Sequence, residues 1–303
     1  MPAIEKAEVV RHDRPWPGLH VLHMHAPQIA AAAAPGQFVH VRVRGASAAP
    51  TAAAVPAHPL LRRPLSVHDA DASAGTLSLL FKVRGIGSSI MADMEAGNCL
   101  DLMGPMGRGF TLPPAAPAGP YLLVGGGVGI APLVFLARAL ARMAPGQFAV
   151  LFGASCAGET HAALPALEAI AAAAGCRTLV ATLDGSAGAR GLVTELLSSC
   201  GVEPGFVYAC GPEPMMAAVA SFADARGITG EISLEEHMAC GVGACLGCAR
   251  ELAAPVVPER RYAKVCVDGP VFAMGSVLLN AGAPTHAHAS APAPAEFEGG
   301  ACR

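Results

Sequence analysis

Two rhythms of hydrophobic and polar residues divide this chain. Up to about residue 112, apolar positions come in short runs or alternate with polar ones. In Gln37–Arg44, for instance, Val39, Val41 and Val43 alternate with His40, Arg42 and Arg44. A period of two marks a strand with one buried face. The pattern predicts strands at Ala7–Arg11, Leu19–His25, Gln37–Arg44, Leu65–His68, Thr76–Val83 and Cys99–Met103, with a short helix over Ser88–Glu95. Pro17-Gly18, Pro35-Gly36 and Gly75 punctuate them as turns. Short strands at this pitch predict a small antiparallel barrel. The Ala-, Ser- and Pro-rich stretch Gly45–Pro59 reads as an exposed loop insertion.

From about residue 119 the rhythm changes to alternating buried strands and helices. Strands are predicted at Tyr121–Val124, Phe148–Phe152, Thr178–Leu183 and Phe206–Ala209. Helices are predicted at Ala131–Met143, His161–Ala174 and Pro214–Ala225, with Leu192–Ser199 continuing the alternation. Strand–helix alternation implies a parallel sheet covered on both faces. The expected organisation is an antiparallel β-barrel over 1–115 and an α/β domain over 116–230. A cysteine-rich segment follows over 231–280, then an Ala-, Pro- and His-rich tail over 281–303, expected to be disordered.

Composition excludes several classes. The 303 residues are 53% hydrophobic with a formal net charge of −3 and no basic stripe, which argues against nucleic acid. Ten cysteines are too few for a secreted disulfide scaffold of this length. The uncharged run Gly119–Ala137 is long enough to span a bilayer, but Gly125, Gly126, Gly127, Gly129 and Pro132 interrupt it; a strand, a glycine turn and a helix explain it better. The N-terminus lacks a signal-peptide core, so the cytoplasm is the expected compartment.

Four cysteines carry the most specific chemistry. Cys240, Cys245, Cys248 and Cys266 are spaced C-x4-C-x2-C, then seventeen residues, then C. This is the plant-type spacing for a [2Fe–2S] cluster. Gly241, Gly243 and Gly247 would let the backbone wrap the sulfurs. Four thiolates also suit structural zinc, usually as two separated C-x2-C knuckles, so zinc stays open at this point.

Three weaker motifs precede the cysteines. Gly125-Gly126-Gly127-Val128-Gly129 ends a strand and opens a helix, a geometry that brings backbone amides to a pyrophosphate. Cys210-Gly211-Pro212 ends another strand at the same carboxyl edge of the sheet, where a thiol could pack near a nicotinamide. In the barrel, Arg63-Pro64-Leu65-Ser66 places an arginine and a hydroxyl three apart on a strand, able to hold a phosphate and a flavin edge. Further on, Gly87-Ser88 opens a helix, with Ser88 expected as its N-cap.

The order of these motifs resembles the ferredoxin–NADP reductase superfamily. The appended Cys240–Cys248 and Val265–Phe272 segments narrow the likeness to the electron-transfer subunits of two-subunit, NAD-dependent dihydroorotate dehydrogenases, from about residue 5 to 275. The resemblance implies FAD in the barrel, contacted by Arg63, Pro64, Leu65 and Ser66. It places Leu80, Phe81 and Lys82 on the flavin's other side, and Gly87 and Ser88 at its phosphate. It implies [2Fe–2S] on Cys240, Cys245, Cys248 and Cys266, and NAD(H) in the second domain. NADH delivers a hydride and the cluster takes one electron, so the flavin must stand between them. The implied partner is an FMN-containing catalytic subunit that interconverts dihydroorotate and orotate in pyrimidine biosynthesis, in a heterotetramer with two of each subunit. The insertion at Gly45–Pro59 and a long polar loop over Ala249–Lys264 depart from the family pattern. Two rival readings are a reductase subunit of an NAD(P)H–ferredoxin oxidoreductase or sulfhydrogenase, and a non-catalytic zinc or redox-sensing module.

Overall fold

The computed structural model describes residues 2–43, 59–112, 119–254 and 261–279. The predicted insertion, apart from Pro59, and the tail lie outside these residues. Six strands form a closed antiparallel barrel: β1 (Ala3–Trp16), β2 (Leu19–His25), β3 (Phe38–Arg42), β4 (Arg63–Asp71), β5 (Thr76–Lys82) and β6 (Cys99–Met106), in the order β1-β2-β5-β4-β3-β6. Two short helices, α1 (Pro27–Ala32) and α2 (Ile86–Ala92), sit between strands. Closure leaves no edge to cap. The alternation seen in the sequence is spent on the interior, where Val9, Leu22, Val39, Val41, Leu79 and Leu102 pack together.

The second sheet has seven strands. They are β7 (Tyr121–Gly126), β8 (Phe148–Ala154), β9 (Arg177–Thr182), β10 (Ala189–Arg190), β11 (Phe206–Cys210), β12 (Thr229–Ser233) and β15 (Val271–Ala273), in the order β10-β9-β8-β7-β11-β12-β15. Every pairing is parallel except that of β15, which lies antiparallel on β12. Tyr121–Val124 is wholly apolar because both faces are covered. Tyr121 and Leu123 meet α3 (Ala131–Met143) and α5 (Leu164–Ala173). Leu122 and Val124 face the side packed by α6 (Glu213–Asp224), Cys248 and Cys266. The apolar run Gly119–Ala137 is thus a strand, a turn and a helix, and no helix among the described residues is long and apolar enough to cross a membrane.

Some elements differ from the sequence pattern. The helix predicted over His161–Ala174 is α5, which starts only at Leu164 because Pro165 falls in its first turn and cannot continue a helix from before it; the short helix α4 (Ala157–Thr160) precedes the predicted range. Leu192–Ser199 contains only a 3-10 segment, Val193–Leu197. The polar stretch Ala249–Lys264 is bounded by a paired ribbon, β13 (Ala249–Glu251) against β14 (Tyr262–Lys264). Ser88 is not the N-cap of α2. Gly85 occupies that position, and the Ser88 hydroxyl reaches back to accept the N–H groups of Arg84 (2.8 Å) and Gly85 (3.1 Å).

Barrel and sheet are tied at several points. Lys82 pairs with Glu159 and Arg138 with Asp69, and the Trp16 ring covers Gly158 so closely that a Cβ there has no room. Just past the barrel, Thr111 donates its N–H to Glu231 (2.8 Å) and accepts the hydroxyl of Tyr208 (2.6 Å). Tyr208 is fully buried, so Tyr208→Phe leaves the Thr111 carbonyl without this donor and costs about 1 kcal/mol. Urea unfolding is expected to show a lower midpoint with an unchanged slope; an unchanged midpoint refutes the assignment.

Candidate functional site

The Arg63–Ser66 motif opens β4 and is held by β3, with Val41 opposite Arg63, His40 opposite Pro64, Val39 opposite Leu65 and Phe38 opposite Ser66. Arg63 folds over the start of α2: a Cβ on Gly87 would lie 2.6 Å from its Nε. The structure therefore brings Arg63, Gly87 and Ser88 together at one edge of the barrel. It brings none of Leu80, Phe81 and Lys82 there by side chain. Phe81 points into the barrel core and stacks on His20 at 5.2 Å, Leu80 packs with Phe110 and Tyr121, and Lys82 is engaged by Glu159.

The glycine turn and the Cys-Gly-Pro turn meet at the carboxyl edge of the sheet. From β7 the chain builds outward through β8 and β9, then returns to place β11 on the other side, so strand order reverses between β7 and β11. Open α/β sheets bind ligands at this crevice. Gly129 lies so close to the second turn that a Cβ would fall 2.6 Å from the Gly211 Cα, and one on Gly126 would fall 2.9 Å from Pro212. Gly127, at φ +54°, faces open space, leaving backbone accessible to a ligand. Cys210 is buried beside Ser233; burial first, then the Glu235 charge, push its thiol well above the usual range, so it stays neutral. Glu235 keeps an exposed surface, yet the protein around it desolvates its carboxyl and raises it above the ordinary value, against the opposing charge of Arg84.

The cysteine loop runs from Cys240 to Cys248 and is completed by Cys266. Cys248 and Cys266 are buried, Cys240 is half-buried and Cys245 is exposed. The Cys245 N–H donates to the Cys240 sulfur (3.4 Å) and the Gly247 N–H to the Cys245 sulfur (3.5 Å). Gly241, Gly243 and Leu246 all take positive φ, at 70°, 79° and 58°. Burial would raise the Cys240 thiol, but backbone N–H groups of Cys245, Val242 and Ala244 outweigh it and bring it down to about 6. Burial, then the neighbouring Cys248 thiol, pushes Cys266 up to about 12.

Among the described residues no three His, Cys, Asp or Glu side chains converge on one point as ligands for a single ion. The fit to a cluster rests instead on the donor set. Three soft sulfurs lie in one loop and Cys266 supplies a fourth from the segment after β14, amides point at two of them, and burial raises the Cys266 thiol, which a bound cation would offset.

Sequence reasoning passed over three residues. His40 was one polar position in an alternating strand and should face water; it is completely buried, with Gly241 of the cysteine loop against its ring. Glu235 precedes the first cysteine by five positions and carries no spacing signal. Leu246 gave no sign of a left-handed backbone, which Gly or Asn usually announces.

The cysteine segment matches the iron–sulfur cluster binding domain of dihydroorotate dehydrogenase B over residues 235–278, and residues 123–221 match an oxidoreductase NAD-binding domain. The chain is 42% identical over 246 residues to the dihydroorotate dehydrogenase B (NAD(+)) electron transfer subunit of Bacillus caldolyticus, covering 81% of this chain and 87% of that one. It is 36% identical over 277 residues to the subunit of the same description from Geobacillus sp., covering 91% and 98%. The structure of an NADH-dependent reduced ferredoxin-NADP oxidoreductase superposes with a TM-score of 0.75 at 27% identity, covering 90% of each chain. A ferredoxin NADP+ reductase from Neisseria gonorrhoeae with bound FAD and NADP shares the fold, with a TM-score of 0.56 at 18% identity, covering 74% of this chain and 92% of that one. Barrel, switch-point crevice and four-cysteine loop thus coincide with a likeness that runs nearly end to end, and the chain belongs to the family of dihydroorotate dehydrogenase B electron transfer subunits.

Proposed function

We propose that this chain carries electrons between NAD(H) and a catalytic partner subunit through the residues assembled above. It is an oxidoreductase subunit of NAD-dependent dihydroorotate dehydrogenase, serving pyrimidine biosynthesis, with FAD and a [2Fe–2S] cluster as cofactors and NAD(H) as substrate. When bound, the flavin exchanges hydride with the nicotinamide and single electrons with the cluster.

The residues divide this work. Arg63 and Ser66 hold the flavin from β4, with Pro64 and Leu65 forming the wall between them. Gly87 leaves room for the Arg63 guanidinium, and Ser88 orders the amides next to the flavin phosphate. Leu80, Phe81 and Lys82 close the other side, Phe81 by its backbone and Lys82 by fixing the barrel on α4. Gly125, Gly126, Gly127 and Gly129 give the nucleotide pyrophosphate a close backbone, braced by Gly211 and Pro212. Cys210, kept neutral, packs against the nicotinamide. Cys240, Cys245, Cys248 and Cys266 ligate the cluster. The working division is 1–115 for flavin, 116–230 for nucleotide and 231–280 for the cluster.

The observation that carries this reading is the position of the cysteine loop. It lies against β3, the strand that also pairs with Arg63–Ser66, so the two sites share one wall. The partner is an FMN-containing subunit in a cytoplasmic complex with two of each chain. It docks over the exposed Cys245, flanked by Val242 (50% exposed) and Leu246 (62%). The likeness to the NADH-dependent ferredoxin-NADP oxidoreductase favours a second reading, reduction of a ferredoxin, which partner binding distinguishes.

Protein purified without oxygen should show flavin absorption and, after NADH, an EPR signal from a reduced [2Fe–2S] cluster. Alone it should reduce dyes with NADH and leave dihydroorotate untouched; flavin without the EPR signal defeats the proposal. Cys245→Ala should keep NADH-dependent dye reduction and abolish transfer to the catalytic subunit, and unimpaired transfer would mean that electrons bypass the cluster. Leu246→Asp should weaken partner binding at least about tenfold, roughly 1.4 kcal/mol, with an unchanged EPR spectrum. Equal affinity by calorimetry would place the docking face elsewhere.

A further inference from the structure

His40 lies in the seam between the flavin motif and the cysteine loop. Its strand neighbours Val39 and Val41 turn into the barrel core, so Phe38 and His40 point outward. The cysteine segment covers them there. Phe38 shares an apolar cluster with Cys248 and Cys266, and a Cβ on Gly241 would fall 2.7 Å from the His40 Cε1 and 2.8 Å from its Nδ1. Across the strands His40 faces Pro64 on one side and Met103 on the other. The ring is 0% exposed, and neither nitrogen has a hydrogen-bond partner among the described residues.

A buried polar ring without a partner is destabilising, a penalty that a valine or leucine here would avoid. Burial, then the charge of Arg62, lower the imidazole to about 4, so at neutral pH it is uncharged and keeps one N–H donor. The glycine pressed against the ring is the residue after the first cysteine of the cluster motif.

We infer that His40 sets the potential of the iron–sulfur centre by donating its ring N–H to a sulfur held in the Cys240 loop. This rests on the assignment of Cys240, Cys245, Cys248 and Cys266 to a [2Fe–2S] cluster. A hydrogen bond to sulfur favours the more negative, reduced form and raises the potential. The flavin wall is adjacent, so a barrel residue adjusts the driving force between the two cofactors without ligating either.

The test is an EPR-monitored redox titration of the full chain. His40→Leu should shift the cluster about tenfold toward the oxidised form, roughly 59 mV lower for a one-electron couple, and leave the flavin couple in place. His40→Gln keeps an N–H donor and should recover most of the shift. No shift in His40→Leu, an equal shift in both variants, or a shift in the flavin alone overturns the inference. A measurement on the unaltered protein guards against a variant that fails to fold. With histidine labelled by nitrogen-15, pulsed EPR of the NADH-reduced cluster should detect a weakly coupled nitrogen that His40→Gln removes. A cluster spectrum without that coupling overturns the inference alone, whereas the absence of any cluster signal brings down the [2Fe–2S] assignment and this inference with it.

Discussion

At two places that shape the sites, backbone approaches a neighbour more closely than any side chain permits. At the switch point, Gly129 lies on Gly211, backbone against backbone, so the turns after β7 and β11 act as one surface. At the barrel wall, Gly241 lies on the His40 ring and the Met106 side chain. Nothing larger than hydrogen fits at either place, and Gly241 also holds φ at +70°, where other residues are strained. The first approach shapes the nucleotide crevice. The second presses the cysteine loop onto β3, the strand that pairs with Arg63–Ser66 of β4. The spacing of the cysteine loop from the barrel is thus set by a missing side chain.

Holding three sites in register needs a rigid frame. The exposed ion pairs contribute little to it, since such pairs are commonly worth about 0–1 kcal/mol each. The stronger ties are hydrogen bonds and close packing between the two sheets. Thr111 is held at both its N–H and its carbonyl, Trp16 caps Gly158, and β15 extends the nucleotide sheet with residues that follow the last cysteine. Through β15 the cysteine segment shares hydrogen bonds with β12, so the cysteine-rich end is woven into the nucleotide sheet.

The fold was legible because its two rhythms are strong. Alternation in Gln37–Arg44 and the wholly apolar Tyr121–Val124 each have one physical explanation, a half-buried and a fully buried strand. The cysteine motif was legible because its ligand spacing is informative by itself. What stayed hidden depends on tertiary packing. His40 obeys the alternation and should be wet, but another segment more than 190 residues away in sequence buries it. Phe81 sits in a quoted flavin motif, yet its ring belongs to the barrel core. Ser88 stands before an apolar run like an N-cap, but the helix starts earlier, and the same hydroxyl serves from three residues inside.

The cysteine loop also shows why electron transfer can be confined to one direction in space. Its inner sulfurs, Cys248 and Cys266, lie in the apolar cluster with Phe38. There, thiolates without a compensating cation are costly, as the raised Cys266 shows. Its outer sulfurs, Cys240 and Cys245, receive backbone N–H groups, and Cys245 reaches the surface. A dry inner side favours close contact with the barrel and excludes water from that path, while the polar outer side stabilises added negative charge where a partner can collect it. Metal binding to these thiols would require their deprotonation, and the buried Cys248 and Cys266 put that requirement on the side of the loop that packs with the barrel residue Phe38.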